Sequence, residues 1–184
     1  MSTRTTILAA AAGLALVTGC SQEGKGDNPA AATSDAATGT VAASVAGSAD
    51  HRKLAAALTD TQLAPVLDGK GDYTLLAPSD AAFAALGDKG TKLGEQDQRP
   101  LMIAVLRGHI LPGQVTPKAI ESAIARKKGP VEMRTMAGNT VTFAKSGEGF
   151  TVSNGSVTAA VAKATTAASN GAVLPLDKVL LPAQ

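Results

Sequence analysis

The stretch YTLLAPSDAAF, residues 73–83, contains the sharpest change of pattern in the chain. Residues 73–77 form a continuous apolar run that ends at Pro78, and such a run is typical of a buried strand. Ser79 is a residue type that caps helices, and Asp80 is suited to the positive N-terminal end of a helix. We therefore predict a buried strand here, followed at once by a helix.

Helical patterns lie on both sides of this stretch. Before it, apolar residues at helical spacing predict two short helices that end near residues 69–71: Leu54, Leu58, Leu63, Val66 and Leu67. After it, a further helix is predicted from three residues that share one face: Met102, Val105 and Leu106. Thr116 is placed to cap another helix, which we expect to begin at Pro117 and to stop at Gly129.

The second half of the chain changes to a period of two. Val141 and Phe143 point to one side of a strand, and the same pattern returns at Phe150 and Val152. This predicts a β-hairpin whose turn lies at residues 145–149.

Two further segments, 156–164 and 171–182, are also typical of strands. Pro175 has no N–H to donate, so we expect its strand to lie at a sheet edge or to be interrupted there. Helices come mainly in the first half and antiparallel strands in the second, which predicts the α+β fold class.

His109 lies in GHILPGQVTP, residues 108–117, where an apolar run meets a Pro-Gly turn. It follows Val105 and Leu106 by about one helical turn. A histidine in such surroundings is most often buried, and both of its ring nitrogens then need hydrogen-bond partners. We predict that His109 stabilises the turn. A place on a binding surface and a catalytic or metal-binding role are the alternatives.

Four motifs, in the same order along the chain, resemble those of the fasciclin (FAS1) family. They are YTLLAPSDAAF at 73–83, HILPG at 109–113, TMAGNTVTF at 135–143 and NGAVLPLDKVLLP at 170–182. The resemblance extends over about residues 54–182. It implies a single FAS1-like (β-grasp-like) domain, which we place at residues 51–184.

The resemblance also implies a function, because fasciclin domains occur in cell-surface and secreted proteins that mediate adhesion. It marks His109, Asn170 and Asp177 as candidate residues of a binding or structural surface. Integrin binding is not expected, since Thr165 and Thr166 stand where the animal integrin-binding members have Asp-Ile.

Two more positions depart from the family pattern. Gly108 replaces the aromatic residue that commonly precedes the family's histidine, and Leu174 replaces a histidine often seen in the last motif. Both changes remove groups that a specific ligand could contact.

The sequence contains no G-x-S-x-G, P-loop or H-E-x-x-H motif. Its single cysteine excludes an internal disulfide and a cysteine-based zinc site. The candidate catalytic carboxylates show no paired spacing: Asp72, Asp80, Asp97 and Asp177. We therefore expect no enzymatic activity and no catalytic, cofactor or metal site.

Charge and aromatic content argue against a nucleic-acid partner. The chain has 17 Lys and Arg against 15 Asp and Glu, so its net charge is close to zero. Only four residues are aromatic: Tyr73, Phe83, Phe143 and Phe150. Stacking on bases and attraction to phosphates both need more than this.

Residues 1–19 have the pattern of a bacterial lipoprotein signal peptide, in which Arg4 precedes an apolar run too short to span a bilayer. The run closes on Val-Thr-Gly-Cys, which resembles a lipobox, and the resemblance implies acylation of Cys20. An ordinary signal peptide with an incidental cysteine is the alternative. Residues 20–50 are rich in Ala, Ser, Thr and Gly and have no aromatic residue, so we predict a flexible linker.

Together these features predict a surface-anchored lipoprotein whose domain binds an unknown protein or polysaccharide. Lipid on Cys20 would attach it to the membrane. Ser21 is not the aspartate that favours inner-membrane retention in similar lipoproteins, so we expect a cell-envelope location at the outer membrane, with the domain facing outward. A periplasm-facing envelope structural factor that binds a partner protein is the alternative.

Overall fold

The computed structural model describes residues 39–182. The predicted signal peptide, Cys20 and the first part of the predicted linker lie outside the described residues. Within 39–182, none of the helices is both long enough and apolar enough to cross a membrane.

Short helices dominate the first part of the described chain, and strands dominate the rest. The helices are α1 (Val41–Ala46), α2 (Arg52–Asp60), α3 (Ala64–Leu67), α4 (Asp80–Ala84), α5 (Asp88–Leu93), α6 (Arg99–Gly108) and α7 (Pro117–Lys127), with a 3-10 turn at Gln96–Gln98. The strands are β1 (Tyr73–Pro78), β2 (Ile110–Pro112), β3 (Val131–Arg134), β4 (Thr140–Ser146), β5 (Gly149–Ser153), β6 (Thr158–Ala160), β7 (Thr166–Ala168) and β8 (Gly171–Leu176).

Two four-stranded sheets organise these elements. The second sheet, in the order β3-β4-β5-β6, is antiparallel throughout. The first sheet, in the order β2-β1-β8-β7, is antiparallel except at its centre, where β1 and β8 run parallel. The predicted α+β fold is confirmed. The parallel pair differs from the antiparallel strands that were expected. It forms because β1 comes from the first half of the chain, so a long connection rather than a hairpin joins it to β8.

The parallel pair places the first and last motifs side by side. Its register runs from Tyr73 opposite Gly171 to Pro78 opposite Leu176. The side chains of β1 alternate between two hydrophobic cores, since Leu75 packs with the helices and Leu76 packs with the second sheet. Burial on both faces explains the continuous apolar run that the sequence shows in this strand.

Each core is built from one group of elements. The first core joins residues of α1–α6 to one face of the first sheet, and Leu54 and Leu106 are among its fully buried members. The second core joins α7 to the second sheet through Ile120 and Phe143. The first sheet therefore lies between the two cores and holds them in one body.

Local capping follows the sequence expectations closely. The Ser79 hydroxyl accepts a hydrogen bond from the amide of Ala82 at 3.2 Å, and α4 begins at the next residue. The Thr116 hydroxyl accepts one from Ala119 at 3.2 Å, with Pro117 as the first residue of α7. The end of α7 differs by one position, because Lys128 rather than Gly129 adopts the left-handed conformation that terminates the helix.

The flexible linker predicted up to residue 50 is wrong for its last part. Residues 41–46 form α1, which Thr40 caps, and Val41 and Val45 are buried in the first core. His51 is also buried, and its Nδ1 lies 2.8 Å from the Ser48 hydroxyl. Two valines separated by one helical turn are enough to dock a short helix when a preformed sheet supplies the partner surface.

Pro175 does not lie at a sheet edge, because β8 is between β1 and β7. Instead, the pairing of β8 is interrupted on one side at Pro175, which was the second possibility that the sequence offered. The pairing with β7 ends at Val173, and the next bridge on that side joins Leu176 to Val161. The proline therefore lies where β8 changes its neighbour, a position at which a missing N–H is tolerated.

We expect Gly171→Ala to destabilise the protein severely. A Cβ at this position would come 1.7 Å from the carbonyl oxygen of Tyr73, so the central strands would have to separate. A loss of about 3 kcal/mol or more in the free energy of unfolding is consistent with a change that displaces a core strand. Gly108→Ala is the matched control, because a Cβ there meets no atom within 4 Å. Equal melting temperatures for the two variants would contradict the close approach.

Candidate functional site

His109 is completely buried and satisfies both ring nitrogens with backbone groups. Its Nδ1 lies 2.8 Å from the carbonyl oxygen of Val105, one turn earlier in α6, and its Nε2 accepts a hydrogen bond from the amide of Leu180 at 2.9 Å. The ring must therefore carry its proton on Nδ1. In addition, the carbonyl of His109 accepts from the amide of Leu76 in β1 at 2.8 Å. One residue thus connects α6, β1 and the C-terminal segment.

The same burial governs the charge of the ring. Desolvation lowers the pKa of His109 from 6.5 to about 4, against a smaller opposing effect of the hydrogen bond to Val105. The neutral ring is required, because Nε2 can accept from Leu180 only when it carries no proton. In this geometry both ring nitrogens are engaged by backbone groups, and no ring atom is exposed for a ligand.

Asn170 uses its side chain to join three separate segments. Its Oδ1 accepts from the amide of Val41 at 2.8 Å, while its Nδ2 donates to the carbonyls of Leu67 at 2.7 Å and Gly69 at 2.9 Å. Its own carbonyl accepts from the amide of Tyr73 at 3.0 Å. Asn170 therefore fixes the start of α1 and the loop before β1 to the start of β8.

Asp177 is exposed and braces the other end of β8. Its Oδ1 accepts from the amide of Ala160 at 2.6 Å, and its amide donates to the carbonyl of Ala160 at 3.2 Å. These two bonds tie the end of β6 to the chain after β8. The three candidate residues are thus structural braces at different places, and the fold does not bring them together into one site.

A concave surface of the described chain lies elsewhere. An open groove of about 1120 Å³ runs between α2 and the segment from α4 to the start of α6. Its floor is apolar and consists of buried residues of the first core: Ala57, Phe83, Leu93 and Met102. Gly87, Gly90 and Gly94 also line the groove, so the wall carries no side chain at these three positions.

Charged side chains stand along both walls of the groove. Lys53 and Asp60 are on α2, Asp88 and Glu95 are on or just after α5, and Arg99 begins α6. The Arg99 guanidinium donates to the carbonyl of Asp60, which links the start of α6 to the end of α2. An apolar floor between charged walls can hold a polypeptide segment or another ligand that is partly apolar and partly polar.

None of these groove residues stands out in the sequence as a candidate for binding. The walls come from four helices, so no local motif marks them. The clustering of glycines around α5 was the available signal, since glycine is costly inside a helix. Within residues 39–182, no three His, Cys, Asp or Glu side chains are placed to hold a metal ion.

Comparisons with known proteins agree with this architecture. Residues 49–182 match the fasciclin domain family. The chain belongs to the fasciclin family. It is 30% identical over 148 residues to Protein sll1483 of Synechocystis sp., a match that covers 78% of this chain and 73% of that protein.

The fold of this fasciclin protein is similar to a solved FAS1 domain pair from the insect cell adhesion molecule fasciclin I. The TM-score is 0.70 at 14% sequence identity, and the match covers 79% of this chain. It covers 51% of the insect chain, so this protein spans about half of that domain pair. At this identity the likeness concerns the fold. The matches indicate no catalytic family.

We expect His109→Gln to remove part of the pH dependence of stability. With the pKa lowered to about 4 when folded, the unfolded chain binds a proton here between about pH 6.5 and pH 4, and the folded chain does not. The stability due to the neutral ring is therefore fully present above about pH 6.5 and is lost toward pH 4, to the extent of about 3 kcal/mol.

Urea unfolding of the wild type and of the His109→Gln variant, at several pH values across this window, tests the expectation. The free-energy difference between the two proteins should shrink as the pH falls. A constant difference would contradict the assignment of the titration to His109. His109→Ala removes the hydrogen-bond partner of the Val105 carbonyl and of the Leu180 amide. An unchanged melting curve for this variant would therefore contradict the structural role itself.

Proposed function

We propose that this protein is a lipid-anchored surface protein whose fasciclin domain binds an external protein or polysaccharide and so mediates adhesion. Membership of the fasciclin family supports a binding role. The insect relative of similar fold is described as a cell adhesion molecule. Acylated Cys20 attaches the protein to the outer membrane, because two or more acyl chains, at about 0.8 kcal/mol per buried CH₂, make anchoring stable.

The observation that carries the binding role is the groove between α2 and α4–α6. It combines buried apolar residues that a ligand can cover with charged residues that can orient it. Asp88 and Glu95 on one wall have no ion-pair partner among the described residues. Carboxylates that are free in this way are available to basic groups of a ligand.

We expect Ala56→Arg to weaken adhesion. Ala56 is an exposed residue of α2 that lines the groove, so an arginine there fills the space that a ligand would occupy. Retention of cells on surfaces coated in turn with matrix proteins and uncharged polysaccharides should fall by about tenfold on the surface that the wild type binds. Such a fall corresponds to a clash that removes about 1.4 kcal/mol of binding free energy.

The matched control for this experiment is Thr59→Arg. Thr59 is exposed on the same helix and does not line the groove, so the same charge is added without blocking it. Cells with this variant should adhere like the wild type. If both variants adhere equally well, the groove is not the binding site.

Lipid attachment gives a second expected result. Growth with a labelled fatty acid should label the wild-type protein and should leave Cys20→Ala unlabelled. Protease added to intact cells should remove the wild-type domain, because an anchored domain that faces outward is accessible. Label that survives in Cys20→Ala would contradict the anchor. A labelled but protease-resistant domain would favour the periplasm-facing envelope factor.

A further inference from the structure

Lysine and arginine are unevenly distributed in this protein. Residues 101–182 contain nine Lys and Arg against four Asp and Glu, whereas residues 39–100 contain six against eight. The first range includes α7 and all of the second sheet. The near-neutral chain is therefore divided into a basic part and a slightly acidic part, which a total charge conceals.

The positive charge is densest where α7 ends. Arg126, Lys127 and Lys128 follow one another there, and all three are exposed. Lys145 of β4 is also exposed and lies two residues beyond Phe143, which pairs with Val131 at the start of β3. The chain turns from α7 into β3 within three residues, so Lys145 comes beside this turn. We call these four residues the basic end.

The basic end is not neutralised within the described chain. The ion pair found among residues 39–182 joins Lys163 to Glu148, and none of the four cations takes part in it. Glu121 of α7, Glu132 of β3 and Glu148, three residues after Lys145, are the nearby carboxylates in sequence. Glu148 pairs with Lys163, and the other two are not within ion-pair distance of a cation. Cations at a helix C-terminus stabilise the helix through its dipole. This stabilisation does not account for Lys145, which belongs to β4.

We propose that the basic end is a second binding surface, which holds an acidic polysaccharide through its carboxylate groups. The inference deepens the proposed binding role but uses a surface separate from the groove. Arg126 can engage a carboxylate through two parallel hydrogen bonds, and the three lysines supply point charges around it. Attraction of this kind acts along an extended polyanion without requiring a deep pocket.

An acidic polysaccharide fits this surface better than a bilayer does. Peripheral proteins that bind membranes usually add inserted apolar side chains to their basic residues. Two large apolar residues are exposed in the described chain, Val66 and Leu101. They are on α3 and α6, and neither is on α7, β3 or β4. The surface therefore offers charge and hydrogen bonds alone.

Binding of the full-length protein to immobilised alginate, a polymer of uronic acids, tests the inference, with neutral dextran as the blank. The variant replaces the three cations of the helix end together: Arg126→Gln, Lys127→Gln and Lys128→Gln. We expect the wild type to be retained on alginate, and we expect the variant to bind at least about tenfold more weakly. Retention of the wild type should fall steeply as salt shortens the range of the charge interactions.

The matched control removes the same amount of charge from the other part of the protein: Lys70→Gln, Lys89→Gln and Lys92→Gln, all exposed. Its binding should stay within about twofold of the wild type, because the change lies away from the basic end. An equal loss in both triple variants would show a net-charge effect and would overturn the inference. Wild type that binds vesicles of anionic phospholipid but not alginate would also overturn it.

Two further variants separate a loss of binding at the basic end from a loss of folding and from binding at the groove. If the triple variant melts at a lower temperature than the wild type, Lys145→Glu compared with Lys70→Glu decides the same question without altering α7. Ala56→Arg, which blocks the groove, should still bind alginate. Loss of alginate binding in Ala56→Arg alone would assign the polysaccharide to the groove and would overturn the basic end while leaving the proposed function in place.

Discussion

The parallel pairing of β1 with β8 is the contact on which the rest of this fold depends. It joins the first and last strands of the described chain at the centre of the first sheet, between the two cores. Gly171 permits the close approach to Tyr73, and the buried side chains of Asn170 and His109 hold the segments around the pair. Both cores contain side chains of these two strands.

A contact between strands so far apart along the chain is slow to form and entropically costly, because a long loop must be closed first. The protein has one cysteine, so no internal disulfide can offset that cost. Buried polar side chains take part of this role instead. Asn170 and His109 each join backbone groups from segments far apart in sequence, and satisfied buried bonds of this kind favour one arrangement over others. As a consequence, the stability of the fold depends on a neutral His109 and therefore on pH.

The residues that stabilise the fold and the surfaces available for binding are separate. His109 and Asn170 are buried, and Asp177 is engaged with Ala160, so substitutions there would act on binding through stability. The groove along α2 and the basic end of α7 lie over different cores. Two surfaces on one compact unit can engage two ligands, or one extended ligand, and each weak contact then raises the effective concentration at the other.

Much of this structure could be predicted from local sequence patterns. The strand at 73–78, the caps Ser79 and Thr116, the β4–β5 hairpin and the buried His109 all depend on residues a few positions apart, whose preferences act in any context. Only the tertiary structure decided the parallel β1–β8 pair, the docking of α1, the partners of Asn170 and the groove. Each of these depends on surfaces that come together only when distant segments meet, and short alanine-rich or glycine-rich segments carry no local pattern that reveals it.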